Sequence, residues 1–336
     1  MRPFLLVAPA LFLCACTTTD MGQSNGNTDG GSDGGSNVNA HRGFPSGAPW
    51  VSYYGTAANM GDLAKVASTF RVINIDADPT DDPASANFSK DQIAQLKNGG
   101  TNRVISYLDI GSCENTRSYW ATVPAGFVSC NDNKAAQRGP YGGYPDETWM
   151  DPSNAEYQKL IVQYVARRLA DRGVDGFFMD NLEIIEHPKD STDGPCDDKC
   201  AQGGLDLVKK LRDAFPDLLI VMQNGTGDRN GTADFALHGT TSDGVSFPTL
   251  LDGISHEDIY GAAIPSEGEA QFLRWKAAGF KPGGRPFWIA TEDYVGNCSN
   301  TKDAQSIYQK SRANGFSPYA TDASAKQSSG VCFWGF

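Results

Sequence analysis

Eight short, largely apolar segments recur along this 336-residue chain, and helical patterns separate most of them. A short apolar run is typical of a buried parallel strand, and alternating strands and helices are typical of a parallel α/β sheet. The predicted strands lie in 50–55, 71–78, 103–112, 173–181, 218–225, 251–258, 285–293 and, with the weakest pattern, 317–322. Eight strands in one domain favour a closed (β/α)8 TIM barrel over an open sheet. No glycine-rich phosphate loop follows the first strand, which argues against a nucleotide-binding fold.

The clearest helical pattern covers residues 151–172. Asp151 is expected to cap its N-terminus, Pro152 to occupy the first helical position, and Gly173 to end the helix. Its apolar residues return every three or four positions, as on one face of a helix. Further helices are predicted at 90–98, 200–215, 265–278 and 301–314.

Carboxylates stand at or just past the carboxyl ends of five of the predicted strands. They are Asp76, Asp78, Asp109, Glu114, Asp180, Glu183, Glu257, Asp258, Glu292 and Asp293. A single carboxylate in such a loop could merely cap a helix. A ring of them indicates an active site, because a (β/α)8 barrel carries its catalytic groups at this end. Two carboxylates on one rim, here Asp180 and Glu257, are the minimum that glycoside hydrolysis requires.

The N-terminus has the pattern of an export signal. Residues 1–15 combine Arg2 with an apolar run too short to span a bilayer. The stretch Leu-Cys-Ala-Cys ending at Cys16 resembles a bacterial lipobox, which implies lipidation of the Cys16 thiol; the alternative is ordinary signal cleavage after Ala15. Thr17, rather than Asp, follows Cys16, so by resemblance we expect a lipoprotein of the outer membrane or cell surface.

The segment after the signal, residues 16–46, is rich in Ser, Gly, Asn and Asp. It has almost no large apolar side chains, so we expect a flexible tether rather than a folded unit. Residues 47–336 then form a single catalytic domain. No later segment is long and apolar enough to be transmembrane.

Cysteine usage agrees with export. Of the eight cysteines, Cys14 would leave with the signal and Cys16 would take the lipid, which leaves six. An even number in an exported chain indicates disulfide bonds, although six cysteines allow fifteen pairings. The pairs that we expect are Cys113 with Cys130, Cys196 with Cys200, and Cys298 with Cys332. Cys196 and Cys200 could instead be half of a zinc site, but no second Cys/His pair has the matching spacing.

The formal net charge of −12 argues against nucleic acid as a partner. Acidic residues concentrated on one rim also need a cation nearby, either a metal ion or a positively charged substrate. The four histidines are scattered singly, so we expect no metal and no other cofactor. No Ser/His or Cys/His grouping suggests a nucleophilic triad. We expect a monomer.

Several stretches, taken in order, resemble glycoside hydrolase family 114, the endo-α-1,4-polygalactosaminidase family. They are Ile75-Asp76, Y-L-D-I-G-S-C-E-N-T-R at 107–117, W-M-D-P-S-N at 149–154, G-V-D-G-F-F-M-D-N at 173–181 and the strand end at Glu257. The resemblance implies a TIM barrel that cleaves galactosamine-containing α-glycans with a carboxylate pair on the fourth and sixth strands, here Asp180 and Glu257. The chain departs from the family at Asp109 and at Leu182-Glu183, which leaves the substrate's exact structure open.

The leading hypothesis is an enzyme that cleaves internal α-1,4 linkages of a cationic galactosamine polymer. We expect Asp180 to be the nucleophile, because Asn181 and other polar neighbours would keep it ionised. Glu257 would be the general acid/base, because Asp258 places a like charge beside it. The resemblance to retaining α-glycosidases on the same barrel favours retention of configuration.

The remaining rim residues are assigned to substrate binding. They are Tyr53, Asp76, Asp78, Asp109, Glu114, Trp149, Asn181, Asn224, Asp258, Glu292 and Asp293. Among these, the carboxylates would bind ammonium or hydroxyl groups, and Tyr53 and Trp149, together with Tyr260, would stack on sugar rings. A role in the core is an equally open interpretation of each aromatic residue.

Two other hypotheses stay open at this point. The chain could be a catalytically silent, carbohydrate-binding barrel lipoprotein, although it retains both carboxylates. It could also be a metal-dependent barrel hydrolase that uses the acidic rim as ligands, against which the scarcity of histidine weighs.

Overall fold

Eight parallel strands surround the core, and a small antiparallel sheet lies beside them. The computed structural model describes residues 43–45, 47–78, 86–261, 267–322 and 327–336. The predicted signal, Cys16 and most of the predicted tether lie outside the described residues. The strands are β1 (Trp50–Tyr53), β2 (Val72–Ile75), β3 (Arg103–Asp109), β4 (Ser112–Glu114), β5 (Gln137–Tyr141), β6 (Tyr144–Met150), β7 (Gly176–Asp180), β8 (Leu219–Gln223), β9 (Gly253–Glu257), β10 (Trp288–Tyr294) and β11 (Ser317–Thr321).

The main sheet has the strand order β1-β2-β3-β7-β8-β9-β10-β11, and every neighbouring pair is parallel. At the seam between the last and first strands, the indole Nε1 of Trp50 donates to the carbonyl oxygen of Ser317 at 2.8 Å. The sheet is therefore a nearly closed (β/α)8 barrel, as predicted, and it includes the weakly patterned eighth strand.

Helices occupy most of the connections between barrel strands. They are α1 (Ala57–Met60), α2 (Leu63–Thr69), α3 (Lys90–Lys97), α4 (Ser118–Ala121), α5 (Ala155–Lys159), α6 (Ala166–Asp171), α7 (Asp198–Ala214), α8 (Phe235–His238), α9 (Glu267–Ala278) and α10 (Thr301–Ala313). A π-helical segment, Leu160–Val165, joins α5 to α6. Short 3₁₀ turns cover Asn98–Gly100, Leu182–Glu186, Phe247–Leu250 and Pro282–Gly284.

The start of the predicted helix at 151–172 was wrong by a few residues. Helix α5 begins at Ala155, and the Asn154 side chain caps it by accepting from the backbone N–H groups of Glu156 and Tyr157, both at 3.1 Å. Asp151 instead accepts from the backbone N–H of Ser153 at 2.8 Å and pairs with Arg138. Both residues are good caps, but the turn at Asp151 delays the helix.

The small sheet was not predicted from the sequence. Strands β4, β6 and β5 pair antiparallel in that order, with Ser112 opposite Trp149 and Glu114 opposite Glu147. Strand β4 begins three residues after β3 ends, and the backbone N–H of Met150 returns to the carbonyl of Gly111 at 2.8 Å. The β5–β6 hairpin is therefore anchored at the carboxyl end of β3.

Aromatic side chains fill the core of the barrel. Trp50 lies at 5.4 Å from Trp288, 5.9 Å from Tyr319 and 6.2 Å from Phe178, measured between ring centroids. Successive side chains of a strand point to opposite faces. Residues 52 and 54 therefore follow Trp50 on the inner face of β1, and Tyr53 points outward.

The three expected disulfide bonds are confirmed. They join Cys113 to Cys130, Cys196 to Cys200, and Cys298 to Cys332. Two of the six cysteines lie in regular structure, since Cys113 is in β4 and Cys200 is in the first turn of α7. Three disulfide bonds indicate an exported protein. Within the described ranges, no helix is both long and apolar enough to cross a membrane.

Candidate active site

The carboxyl ends of the barrel strands bring the predicted carboxylates to one edge. Asp109 and Asp180 are register partners at the ends of β3 and β7. Glu257 and Glu292 are register partners on β9 and β10. Because all eight strands are parallel, these two pairs lie at the same end of the barrel.

Glu257 is held by two side chains from neighbouring strands. The hydroxyl of Tyr294 donates to its Oε1, and the amide Nδ2 of Asn224 lies 3.4 Å from its Oε2. The side-chain oxygen of Asn224 in turn lies 3.4 Å from the backbone nitrogen of Glu257. These contacts fix the orientation of the carboxylate.

Tyr294 is itself contacted by the C-terminal tail. The amide Nε2 of Gln327 lies 3.4 Å from the hydroxyl of Tyr294. The carbonyl oxygen of Gln327 accepts from the backbone N–H of Tyr54 at 3.0 Å, which attaches the tail to the end of β1. Neither Tyr294 nor Gln327 was predicted to lie in the site. Tyr294 follows Glu292 by two positions on one strand, so strand alternation was a signal that could have found it.

Asp180 is surrounded by like charge. Burial, followed by the charges of Glu183 and Glu257, raises the pKa of Asp180 well above its usual range. The backbone N–H of Asn181 donates to its Oδ1 at 3.0 Å and opposes this shift. This corrects the expectation that Asn181 and other polar neighbours keep Asp180 ionised. In the free protein the environment favours its protonated form.

Tyr54 lies among the carboxylates on the inner face of the barrel. Its hydroxyl accepts from Nδ2 of Asn74 at 3.1 Å, and its ring meets Tyr107 edge-on with the centroids 5.1 Å apart. Burial and the nearby charges of Glu292 and Asp180 raise the pKa of Tyr54 well above its usual range. Tyr54 therefore remains a neutral hydroxyl that faces the site, a role that the sequence analysis did not assign.

Asp109 and Asn181 form a buried support beneath the site. Oδ1 of Asp109 accepts from the backbone N–H of Ser112 at 2.8 Å, and Oδ2 accepts from the Ser112 hydroxyl at 2.7 Å. The Asn181 amide donates to Asp109 at 3.2 Å and to Ser112 at 2.9 Å. Both side chains are almost fully buried, which corrects their predicted contact with substrate.

Asp76, Asp78 and Glu114 surround one cation of the chain. The guanidinium of Arg117 lies 2.9 Å from Asp76, 3.6 Å from Asp78 and 2.7 Å from Glu114. Asp78 also lies 3.5 Å from Arg168. Arg117 was not predicted to have a role. Its positive charge already compensates these three carboxylates, which were expected to bind the ammonium or hydroxyl groups of the substrate.

The last strands bring together acids with different surroundings. Asp293 is fully buried, and its Oδ1 accepts from the backbone N–H groups of Tyr260 and Gly261 at 2.6 and 2.7 Å, so it fixes the loop after β9. Asp258 is exposed at the start of that loop, in a left-handed conformation with φ 53°. Glu292 is fully buried, and burial together with the charge of Glu257 raises its pKa well above the usual range.

The three predicted stacking aromatics offer no free face. Tyr53 is fully buried and points outward, with its hydroxyl 3.2 Å from the carbonyls of Thr56 and Ser328. Trp149 is buried with Tyr141 stacked on it at 4.0 Å, and Tyr260 is buried with its hydroxyl 2.8 Å from Nδ2 of Asn314. Their stacking role is corrected because other parts of the chain already cover the rings.

Two further glutamates complete the acidic wall of the site: Glu183, which was predicted on the rim without a role, and Glu147, which was not predicted there. Burial is the main cause that raises the pKa of Glu147, and likewise that of Glu183, to about 8. Glu147 accepts from the Ser112 hydroxyl at 2.9 Å, and Glu183 lies in the turn that follows β7. Among the described residues, no group of three or more His, Cys, Asp or Glu has the arrangement of a metal site.

A barrel with paired carboxylates at the ends of its fourth and sixth strands has the architecture of a glycoside hydrolase. The comparisons agree: the chain belongs to glycoside hydrolase family GH114, whose family model matches residues 37–225. It is therefore a glycoside hydrolase.

Known proteins resemble it over most of its length. An uncharacterised protein of Thermotoga maritima is 24% identical over 283 residues, which cover 81% of this chain and 80% of that protein. The glycoside hydrolase domain of PelA from Pseudomonas aeruginosa superposes with a TM-score of 0.58 at 14% identity, covering 84% of this chain and 98% of that one. Ega3 of Aspergillus fumigatus, in complex with galactosamine, superposes with a TM-score of 0.57 at 17% identity. The match covers 85% of this chain and 95% of that one. These two similarities support the barrel fold.

Proposed function

We propose that this protein hydrolyses internal α-1,4 linkages of a polysaccharide that contains unacetylated galactosamine. The observation that supports this proposal best is the excess of negative charge in the site. Asp180, Glu183 and Glu147 all have raised pKa values, and the described residues show no ion pair of Lys or Arg with any of them. A substrate ammonium group would supply the missing positive charge. The galactosamine bound to the structurally similar Ega3 is a sugar of this kind.

The mechanism that we propose uses Asp180 as nucleophile and Glu257 as general acid/base. Asp180 attacks the anomeric carbon while protonated Glu257 gives its proton to the departing glycosidic oxygen. Glu257 then takes a proton from water, and that water's oxygen displaces Asp180 from the sugar. Nucleophilic attack needs ionised Asp180, so a cationic sugar would both bind here and favour the reactive form.

Two variants test the roles. Asp180→Asn should lower turnover of a galactosamine polymer by about 10³-fold or more while binding and fold persist, since the side chains are nearly isosteric. Glu257→Gln should lose turnover of the polymer but recover part of it on an aryl glycoside, whose good leaving group needs no proton donor in the first step. If Asp180→Asn turned over the polymer and the aryl glycoside at the wild-type rate, Asp180 would have no part in the mechanism.

The stereochemical outcome is a separate test. A retaining mechanism gives a first-formed reducing end in the α configuration, because two displacements at the anomeric carbon restore it. Proton NMR of early product should therefore show the α anomer. The β anomer would make a carboxylate of the site the base that activates water, and hydrolysis itself would stand.

We also propose that the mature chain begins at a lipid-modified Cys16, with 16–46 as tether to an outer-membrane or cell-surface anchor. The lipobox-like sequence and the disulfide-rich domain support this export route. Mass spectrometry of the membrane fraction should find a diacylglyceryl mass on the N-terminal peptide. A free Cys16 thiol in that peptide would contradict the anchor.

A further inference from the structure

The β5–β6 hairpin is held rigidly beside the active site. Oδ1 of Asp193, from the loop after β7, accepts from the backbone N–H of Gly142 at 2.9 Å and from the indole of Trp149 at 2.5 Å. A Cβ at Gly142 would lie 2.5 Å from Oδ2 of Asp193, so a larger residue here would displace the Asp193 carboxylate. The hairpin tip is therefore attached to the loop that follows the strand carrying Asp180.

Aromatic stacking continues from the core to the tip of this hairpin. The ring of Trp149 is covered by Gly194 on one side and by Tyr141 on the other, with Tyr141 only 19° from parallel. Tyr144 then meets Tyr141 edge-on, with the ring centroids 5.0 Å apart. The stack ends in an aromatic ring whose outer face has no aromatic neighbour among the described residues.

Tyr144 is exposed although it is large and partly apolar. It retains 45% of its accessible surface, the largest fraction among the large hydrophobic residues of the described chain. Its hydroxyl lies close enough to the site that, after partial burial, the charges of Glu257, Glu147 and Asp180 raise its pKa. The ring is also joined to the site by contact, because it meets Tyr141, whose hydroxyl lies 3.4 Å from Glu183.

Two carboxylates lie in the same part of the molecule as this stack. Glu183 accepts from the hydroxyl of Tyr141 at 3.4 Å, while its Oε2 is buried with no hydrogen-bond partner in the described part of the chain. Glu147 lies on the same hairpin as Tyr144, three residues further on. An exposed ring in the same cluster as a carboxylate that has no Lys or Arg partner among the described residues complements a sugar with an apolar face and an ammonium group.

We propose that Tyr144 and Glu183 form a subsite for an amino-sugar ring next to the cleaved bond, with Tyr144 as the platform and Glu183 as the partner of the ammonium group. This inference rests on the proposed function and adds two specificity-determining residues to it. The subsite would favour polymer over short substrates and free amine over N-acetylated rings.

Binding to an inactive background tests the subsite. In Asp180→Asn protein, α-1,4-galactosamine oligomers are titrated calorimetrically. Tyr144→Ala should weaken binding about tenfold, and Tyr144→Phe should retain it because the ring face remains. Glu183→Gln should weaken binding of the free-amine oligomer about tenfold and leave the fully N-acetylated oligomer unchanged. Leu273→Ala, which removes another exposed apolar side chain, and Asp213→Asn, which removes an exposed charge in α7, are controls expected to bind normally.

Each outcome separates the two proposals. The subsite would be overturned if Tyr144→Ala binds the oligomer as tightly as its parent does. It would also be overturned if Glu183→Gln loses equal affinity for the amine and the N-acetylated oligomers. Both results count against the subsite even if the wild-type protein cleaves the polymer. Failure of the wild-type protein to cleave any galactosamine polymer would overturn the proposed function. Turnover confirms the subsite if Tyr144→Ala lowers the rate on polymer while the rate on an aryl monoglycoside is kept.

Discussion

Glu257 depends on a hydroxyl from the neighbouring strand. Tyr294 donates to one carboxylate oxygen and Asn224 lies beside the other, so the group is oriented before substrate arrives. Asp180, by contrast, is buried beside other carboxylates, and both the burial and the like charge raise its pKa. The two carboxylates of the proposed mechanism therefore have different surroundings, and those of Asp180 favour its protonated form until a cationic substrate binds.

Tyr294→Phe is expected to lower kcat on the polymer by about 10- to 100-fold with little change in KM, because a hydrogen bond to a charged group contributes about 1.5–3 kcal/mol. Steady-state kinetics on purified protein measures this effect. Tyr308→Phe, which changes a buried tyrosine of α10, is the control. Equal kcat values for wild type and Tyr294→Phe would show that the Tyr294–Glu257 contact has no part in turnover.

At the scale of elements, the barrel was predictable and the hairpin was not. The barrel strands are short apolar runs, and burial on both faces produces that pattern. Residues of β5 and β6 are mostly polar and partly exposed, so they lack the apolar runs of the barrel strands, and the contact of Gly142 with Asp193 joins residues 51 positions apart. No local pattern reports such a contact.

Among the site residues, too, some positions could be predicted from local sequence and others could not. The positions of Asp180 and Glu257 at the carboxyl ends of β7 and β9 could be predicted from the apolar runs that precede them, and their catalytic roles stay proposals. The choice of Tyr53 instead of Tyr54 failed because a one-residue shift in strand phase reverses the inner and outer faces. The pairing of Arg117 with Asp76 joins residues 41 positions apart, and only the folded chain shows it.

The C-terminal tail connects a disulfide bond to the site. Cys298–Cys332 closes a loop with a sequence separation of 34, and residues 327–336 end against the first and last barrel strands. Replacing both cysteines by alanine should destabilise the fold by about 3–4 kcal/mol in the chain-entropy model. It should also lower kcat, because Gln327 would no longer be held against Tyr294.

Thermal unfolding and kinetics of the double variant check this prediction. The matched control replaces Cys196 and Cys200, whose separation is only 4 and whose loss should lower Tm less. An equal Tm decrease for both double variants, with kcat unchanged, would contradict the role of the tail.

At the scale of the whole molecule, the acidic site opposes stability as pH rises. Glu147 and Glu183 have pKa values raised to about 8, and Asp109 has one raised to about 6. Between pH 5 and 8 the folded state therefore holds more protons than the unfolded state, and the free energy of unfolding falls as pH increases.

The melting temperature should accordingly fall by on the order of 5 °C or more from pH 5 to pH 8.5. Galactosamine oligomers should reverse part of the decrease, since their ammonium groups compensate the carboxylates. Scanning calorimetry with and without oligomer measures both effects. A melting temperature that rises steadily over this pH range would contradict the charge state assigned to the site.

The most direct test of the account is digestion of partly deacetylated α-1,4-galactosamine oligomers of defined sequence, with products identified by mass spectrometry. Wild-type protein should cleave internal bonds next to unacetylated residues and spare fully N-acetylated oligomers, and Asp180→Asn should cleave neither. Cleavage that ignores acetylation, or cleavage by Asp180→Asn at the wild-type rate, would contradict a cation-selective site in which Asp180 is the nucleophile.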